Sequence, residues 1–168
     1  QLWIALPEDE QECEPFFTHY DESALPQVEQ AKAGIRLMIG EAFGVKSAVK
    51  VHSSTLYVDV QLEEGGRIGL PENVEERAVY IVSGQVIVAE REISQHEMAI
   101  FEQISGVELT ATEPTRLVII GGAPLGKRTV WWNLVSSRKT LIEKAKQDWL
   151  NNKFPRVPGE TEFIPLPK

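Results

Sequence analysis

The sequence predicts an all-β fold, a sandwich or barrel of short strands, followed by one α-helix and an extended tail. Three observations carry this prediction. Polar and apolar residues alternate with period two through the middle of the chain, turn-forming residues recur between the alternating segments, and a helical period appears once, near the end. Many short strands at regular spacing are typical of a sandwich or barrel.

Size and composition favour one domain. The chain has 168 residues, of which 42% are hydrophobic. Such a chain forms an ordinary core without disulfides or a structural metal. We therefore expect a single domain over residues 1–168, with a strand barrel at about 1–135, a helix at about 138–151 and an extended tail at 152–168.

The clearest strand is segment 55–62, because every second residue in it is apolar. Segments 35–39, 117–120 and 130–132 predict further strands, and the apolar run 2–6 resembles the inside of a strand. These segments are separated by turn signals at Gly65-Gly66, Pro71-Glu72-Asn73, Ser83-Gly84, Ser105-Gly106 and Gly121-Gly122-Ala123-Pro124.

The predicted helix has an apolar face. That face consists of Leu141, Ile142, Ala145 and Trp149. We expect the helix to lie on the outside of the barrel, with Ser136 or Ser137 accepting hydrogen bonds from its first turn. The tail contains prolines that cannot continue a helix or a central strand, and its Phe163, Ile164 and Leu166 predict that it docks onto another surface.

Charge is distributed unevenly along this acidic chain, whose formal net charge is −8. Residues 1–30 contain eight acidic and no basic side chains, whereas segment 127–156 has a net charge of +6. Aromatic residues do not alternate with a dense basic cluster there, so we interpret the segment as a solvated helix face and loop. We expect no nucleic-acid partner.

The sequence contains few residues of the types that catalyse reactions or bind metals. The three histidines, His19, His52 and His96, are far apart in sequence, and we expect each at a surface or turn. Cys13 stands among glutamates, whose charges disfavour a thiolate nucleophile. The sequence also lacks a Gly-x-Ser-x-Gly elbow and a glycine-rich phosphate loop. We therefore assign no catalytic residue and no metal ligand in this chain.

The cellular compartment is inferred from the cysteine count and from the lack of targeting segments. The single cysteine is typical of a reducing compartment, and the sequence shows neither a secretory leader nor an apolar run that could span a bilayer. We expect a cytoplasmic protein without a membrane partner. Because the chain starts at Gln1 and enters at once on an apolar run, we also expect that an upstream part has been removed.

The hairpin-like run 77–88 resembles the first conserved motif of the cupin barrel, His-x-His, three or four residues, Glu, six residues, Gly. Aligning the motif on Gly84 puts Arg77 at the glutamate position and the two histidine positions near Pro71 to Asn73. The second cupin motif, Pro-x-Gly-x-x-His, falls near Gly106, where no histidine occurs. The resemblance implies a cupin-type double-stranded β-helix, or jelly-roll barrel, that has lost its metal ligands.

Longer matches resemble the pirins, in which two cupin barrels are fused. They lie at Gln1-Leu2-Trp3-Ile4-Ala5-Leu6-Pro7, Gly40-Glu41-Ala42-Phe43-Gly44-Val45-Lys46-Ser47, Ile119-Ile120-Gly121-Gly122-Ala123-Pro124-Leu125-Gly126, Val130-Trp131-Trp132-Asn133-Leu134-Val135-Ser136-Ser137-Arg138-Lys139 and Phe163-Ile164-Pro165-Leu166-Pro167. They cover nearly the whole chain. On this basis the chain is similar to the C-terminal cupin domain of a bacterial pirin-like protein, and the metal-binding N-terminal cupin is expected outside it.

The resemblance implies one non-haem iron in a pirin, held by three His and one Glu of the N-terminal barrel. Some pirins are similar to quercetin 2,3-dioxygenase in activity, and animal pirins bind transcription factors. We therefore expect no cofactor in this chain, with iron in the missing N-terminal domain. The expected partners are that N-terminal cupin domain and other proteins.

Two functional hypotheses remain open. In the first, this metal-free barrel has a structural and interaction role that supports the iron site of the other half. In the second, the chain is part of an iron-dependent enzyme resembling quercetin 2,3-dioxygenase, whose metal site lies in the missing domain. The fragment alone is predicted to be non-catalytic under either hypothesis.

Four residues are candidates for a site. Arg77 is a candidate pocket residue, because an emptied barrel could hold a small organic ligand beside a charged group at the former metal position. An exposed or salt-bridged arginine is the alternative interpretation. Trp131, Trp132 and Phe163 are candidates for an interface or for packing. Since adjacent strand residues face opposite sides, we expect one tryptophan in the core and the other at an interface or under the helix.

Overall fold

The computed structural model describes residues 2–167 and confirms a fold built mainly of β-strands. The strands are β1 (Gln27–Gln30), β2 (Ala33–Ile39), β3 (Glu41–Ala42), β4 (Val45–Lys46), β5 (Thr55–Leu62), β6 (Arg67–Gly69), β7 (Glu76–Ser83), β8 (Gln85–Val88), β9 (Arg91–Ser94), β10 (Met98–Phe101), β11 (Glu108–Ala111), β12 (Thr115–Gly122), β13 (Thr129–Trp131) and β14 (Leu134–Ser136). A short 3-10 helix (Glu22–Ala24) precedes β1, and the helix α1 (Lys139–Leu150) follows β14.

The described residues form two compact units. The larger unit comprises residues 15–124 and contains strands β1 to β12. The smaller unit joins residues 2–14 to residues 125–167, and it contains β13, β14 and α1. The barrel strands thus lie between Gln27 and Gly122, a shorter span than the 1–135 expected for them.

The larger unit is built from two main antiparallel sheets. One has six strands in the order β1-β2-β5-β12-β7-β10, and the other has four in the order β6-β11-β8-β9. β12 is central in the larger sheet and pairs with β5 along its whole length, from Thr115 opposite Leu62 to Gly122 opposite Thr55. Strands β3 and β4 form a separate two-stranded ribbon.

A single apolar core fills the space between these sheets. Every second residue of β5 is buried, as the period-two pattern predicts, and Leu117 and Ile119 of β12 are completely inaccessible. The smaller sheet contributes residues such as Ile68, Val86 and Leu109 to the same cluster. The interior is therefore packed by aliphatic side chains from both sheets.

The hairpin expected over residues 77–88 is not formed. β7 pairs with β12 and β10, whereas β8 pairs with β9 and β11 of the other sheet. Gly84 lies between them with φ +79°, and its left-handed conformation turns the chain from one sheet into the other. Two apolar runs around a glycine thus mark a corner of the barrel.

The strand expected over residues 2–6 is also absent. The segment has no β-pairing in the described part of the chain, and Leu2, Trp3 and Ile4 are 40–55% exposed. An apolar composition favours a strand only where a neighbouring strand supplies backbone partners, and this segment has none. Arg128 instead donates a hydrogen bond from Nη2 to the carbonyl of Leu6, at 3.0 Å.

The helix forms close to where the sequence predicts it. Ile142 is its buried residue, and Leu141, Ala145 and Trp149 on the same face are half-buried. The expected serine cap is not formed: the N-cap residue is Arg138, without a side-chain capping hydrogen bond, and the Oγ of Ser136 accepts the N–H of Arg138 ahead of the helix at 3.1 Å. The residues just before the helix also contact residues 2–14, which the sequence does not predict. Gln11 Oε1 accepts the Ser137 N–H at 3.0 Å, and Glu12 pairs with Arg138.

Acid should loosen α1 through Asp148. Lys144 donates a hydrogen bond to this carboxylate and Lys153 lies 3.4 Å from it, so the pKa of Asp148 is held below its ordinary value, chiefly by Lys144. A lowered folded-state pKa stabilises the fold above the unfolded pKa, and this contribution is lost as the pH falls through the folded value. Melting followed by tryptophan fluorescence from roughly pH 5 to roughly pH 2 should therefore show less acid sensitivity in Asp148→Asn than in wild type.

The matched control is Asp9→Asn, an exposed aspartate outside the helix. It should retain the acid sensitivity of wild type. Identical profiles for Asp148→Asn and wild type would show that the Lys144 and Lys153 contacts do not stabilise the helix.

Candidate functional site

Arg77 occupies an interior position of the barrel. It alternates along β7 with Val79 and Ile81, both of which are inaccessible members of the core, so its side chain belongs to the inward face of the strand. Only 2% of Arg77 is exposed. The alternative of a solvent-exposed arginine is therefore wrong.

Backbone carbonyl groups surround the Arg77 guanidinium. Its Nη2 donates to the carbonyls of Glu102 and Ile104, at 2.9 and 2.7 Å, and its Nη1 donates to the carbonyl of Pro71 at 3.3 Å. No carboxylate among residues 2–167 lies within ion-pair distance of it, so the alternative of a salt bridge is not found either. The Nε–H has no partner in the same part of the chain.

This arrangement makes Arg77 a clamp between two loops. Pro71 lies in the loop before β7, and Glu102 and Ile104 lie in the loop between β10 and β11. A buried charge requires polar partners, and hydrogen bonds from a charged donor are among the stronger ones in proteins. The guanidinium and the three carbonyls therefore stabilise each other, and the two loops are held together at one end of the interior.

The loop positions aligned with the missing histidines also make structural contacts. Glu72 Oε1 accepts the backbone N–H of Gly106 at 2.8 Å, and Asn73 Nδ2 donates to the carbonyl of Glu41 at 3.1 Å. Gly106 is the residue near which the second cupin motif falls. The two loop regions that align with the cupin motifs are thus joined here by the hydrogen bond between Glu72 and Gly106.

The buried polar groups offer no conventional metal ligands. Among residues 2–167 the buried polar or charged side chains are Ser47, Arg77, Thr115 and Ser136. Imidazole, thiolate and carboxylate are the usual protein ligands of transition metals, and this set contains none of them. Iron held by three His and one Glu does not fit the residues around Arg77.

The three histidines lie at exposed positions, as expected. His19 pairs with Asp21 at 3.3 Å, and the ring of His52 lies 5.9 Å from that of Phe16. His96 has a left-handed backbone, and its Nδ1 lies 3.3 Å from the hydroxyl of Tyr80.

The tryptophan pair does not divide between two faces of a strand. Trp131 is the last residue of β13, whereas Trp132 lies in the following turn with φ +51°. The Nζ of Lys146 lies 4.2 Å from the centre of the Trp131 ring, and the Trp132 ring meets Trp149 edge-on at 5.0 Å. Both rings therefore pack toward α1, because the turn removes the strand alternation on which the expectation of opposite faces rested.

Phe163 joins the same aromatic group. Its ring lies 6.2 Å from that of Trp149, which also contacts Phe154 at 5.6 Å. Packing is thus observed for Trp131, Trp132 and Phe163, and an interface role stays a prediction.

The smaller unit contains a cavity of about 300 Å³ that the sequence does not predict. It is lined by Trp3, Ile4, Ala5, Leu6, Gln11, Arg128, Asn133, Val135 and Ser136. The guanidinium of Arg128 is held by the carbonyls of Leu6 and Leu125 at 3.0 and 2.7 Å. The position of the Arg128 side chain depends on a contact with a segment more than 100 residues away along the chain, which no local sequence pattern reveals.

Comparison with known proteins identifies relatives of this chain. The family model of the pirin C-terminal cupin domain matches residues 57–155. A pirin-like protein of Caulobacter vibrioides is 43% identical over 171 residues, covering 100% of this chain and 59% of that protein. A putative quercetin 2,3-dioxygenase of Pseudomonas aeruginosa is 26% identical over 152 residues, covering 89% of this chain and 48% of that protein.

A solved structure shows the same fold. Quercetin 2,3-dioxygenase from Acinetobacter baumannii superimposes with a TM-score of 0.87 at 26% identity, covering 99% of this chain and 57% of that one. The two facing sheets thus define a cupin, as the first motif implied. The chain belongs to the pirin family, and it spans only about half to three-fifths of the lengths of the relatives it matches.

The described residues contain no helix that could span a lipid bilayer, since α1 has only 12 residues.

Proposed function

We propose that this chain is the C-terminal barrel of a pirin-like bicupin, and that it has a structural and interaction role beside a metal-bearing N-terminal barrel. The observation that carries the proposal is the buried Arg77, whose guanidinium is bound by three backbone carbonyls at the position aligned with a metal-binding glutamate. This chain contributes no ligand to the iron, which belongs in the other barrel.

Electrostatics supports the proposal. A guanidinium is positively charged, and it repels a divalent cation in a medium of low dielectric constant. The carbonyls that would otherwise face the interior are already occupied by Arg77 and are not available as ligands. The aliphatic side chains of the core fill the remaining interior.

An interaction role is supported by an apolar edge. β10 is an edge strand of the six-stranded sheet, and its Met98 and Ile100 are 52% and 82% exposed. Ile104, beyond the end of the strand, is 56% exposed. Soluble proteins usually protect sheet edges with charges or cover them, so an apolar edge favours contact with another protein surface. We propose the N-terminal cupin and other proteins as partners, in the cytoplasm.

The alternative is an enzymatic role for the whole protein. It is supported by the two relatives whose names include quercetin 2,3-dioxygenase. Under this alternative the full-length protein oxidises a flavonol-like aromatic at iron in the other barrel. The present chain then supports the active site without binding the metal.

Iron content and quercetin-dependent oxygen consumption test both proposals, measured on the full-length protein and on this chain. We expect iron in the full-length protein and neither iron nor turnover in this chain. Oxygen consumption by the full-length protein would favour the enzymatic role, and an iron-loaded but inactive protein would favour the interaction role. Turnover by this chain alone would overturn both.

An Arg77→Glu variant of this chain provides a sharper control. It restores a carboxylate at the aligned position but supplies none of the imidazoles, so we expect it to bind no more iron than wild type. Stoichiometric iron in the variant would show that the loops can still form a metal site.

A further inference from the structure

The C-terminal tail lies against the aromatic side chains of the smaller unit. The Trp149 indole Nε1 donates a hydrogen bond to the carbonyl of Ile164 at 2.8 Å. The ring of Phe163, the preceding residue, lies 6.2 Å from the ring of Trp149. The tail is thus bound through one aromatic contact and one donor from the same tryptophan.

The aromatic side chains around Trp149 have the chemistry of a peptide-binding site. The rings of Trp132 and Phe154 flank Trp149, with centroids 5.0 and 5.6 Å from it. Aromatic grooves that present an indole N–H bind proline-containing segments, because such segments are extended before binding and keep their carbonyls free to accept. The segment Phe163-Ile164-Pro165-Leu166-Pro167 fits this description.

The tail is held by few contacts. Phe163 and Ile164 are 48% and 57% exposed. Within residues 2–167, the bond from Trp149 is the one hydrogen bond made by residues 163–167. Before this segment, Glu160 Oε1 accepts the N–H groups of Thr161 and Glu162 within the tail itself, which adds no attachment to the helix. A segment with so few buried contacts opens locally at low free energy.

We propose that Trp132, Trp149 and Phe154 form a binding site for an extended segment of the type aromatic-aliphatic-proline, and that residues 163–167 occupy it as a releasable strap. The tail is then a built-in competitor for external segments of the same chemistry. This inference does not depend on the function of the barrel.

A synthetic peptide with the sequence of residues 161–168 tests the proposal on the full 168-residue chain. The readout is the indole N–H resonance of Trp149, identified by its disappearance in Trp149→Phe. In wild type the tethered tail competes at a high effective concentration, so the peptide should bind weakly. In Phe163→Ala the tail loses its ring contact, and we expect the peptide to bind about ten-fold more tightly or better.

Two controls define the outcome. Val157→Ala changes an exposed tail residue outside the strap and should bind the peptide as weakly as wild type. A peptide with alanine in place of its phenylalanine and both prolines should not bind Phe163→Ala. The proposal is wrong if the peptide binds Phe163→Ala no better than wild type, or if the double variant Phe163→Ala, Trp149→Phe binds it equally well by calorimetry. Since Phe163 is partly exposed, its replacement leaves the fold intact.

Discussion

Replacing Arg77 with leucine is expected to lower the free energy of unfolding by about 3 kcal/mol, because buried carbonyls lose a charged donor and regain no partner. The affected acceptors are the carbonyls of Pro71, Glu102 and Ile104. Urea unfolding followed by far-ultraviolet circular dichroism measures the change. Hydrogen exchange should accelerate in the same variant around residues 102–106, since the clamp between the two loops is gone.

The control is Arg91→Leu, at an exposed arginine on β9, which should change the free energy of unfolding by less than about 0.5 kcal/mol. Arg77→Lys should fall between Arg77→Leu and wild type, because an ammonium keeps the charge but cannot reach three acceptors with a planar fork. Equal stability of Arg77→Leu and Arg91→Leu would contradict the clamp.

The Gly84→Ala variant should lose about 3 kcal/mol of stability, through a left-handed backbone that disfavours a side chain and through steric overlap. An added Cβ would lie 2.5 Å from Thr115 Oγ1 and 2.6 Å from the carbonyl of Pro114. Thr115 is 3% exposed and its hydroxyl accepts the Gln85 N–H at 3.0 Å, so it cannot easily move. The corner between the two sheets would have to open.

Gly44→Ala separates these two effects. Gly44 has a similar φ of +77°, but a Cβ there would meet nothing within 4 Å. Its replacement should therefore cost about 1 kcal/mol, from backbone strain alone. Thermal and urea unfolding of the two variants should differ by about 2 kcal/mol, and equal losses would show that the Thr115 contact is not what requires glycine at position 84.

Local patterns predict much of this fold because they report burial directly. Segment 55–62 coincides with β5, since alternation with period two follows from one face meeting the core. The helix predicted over about 138–151 is observed over Lys139–Leu150, because its apolar residues also recur on one buried face, there with the helical period. Pairing is not local, so the sequence did not show that β7 and β8 belong to different sheets.

The candidate site was only partly predictable. The motif alignment identified Arg77 as the residue in place of a ligand, but its carbonyl partners lie 25 and 27 residues away along the chain, as well as six. The bond between Glu72 and Gly106 spans 34 residues, and the sequence carries no signal for it. Backbone carbonyls are common to all residues, so their use as partners depends on loop placement, which only the folded chain determines.

Anomalous scattering from crystals of the chain grown with ferrous iron, recorded at the iron absorption edge, tests whether this barrel binds a metal. We predict no anomalous peak inside the barrel, and a guanidinium of Arg77 bound to the carbonyls of Pro71, Glu102 and Ile104. An iron ion coordinated within the barrel by side chains of this polypeptide would show instead that the barrel is a metal site.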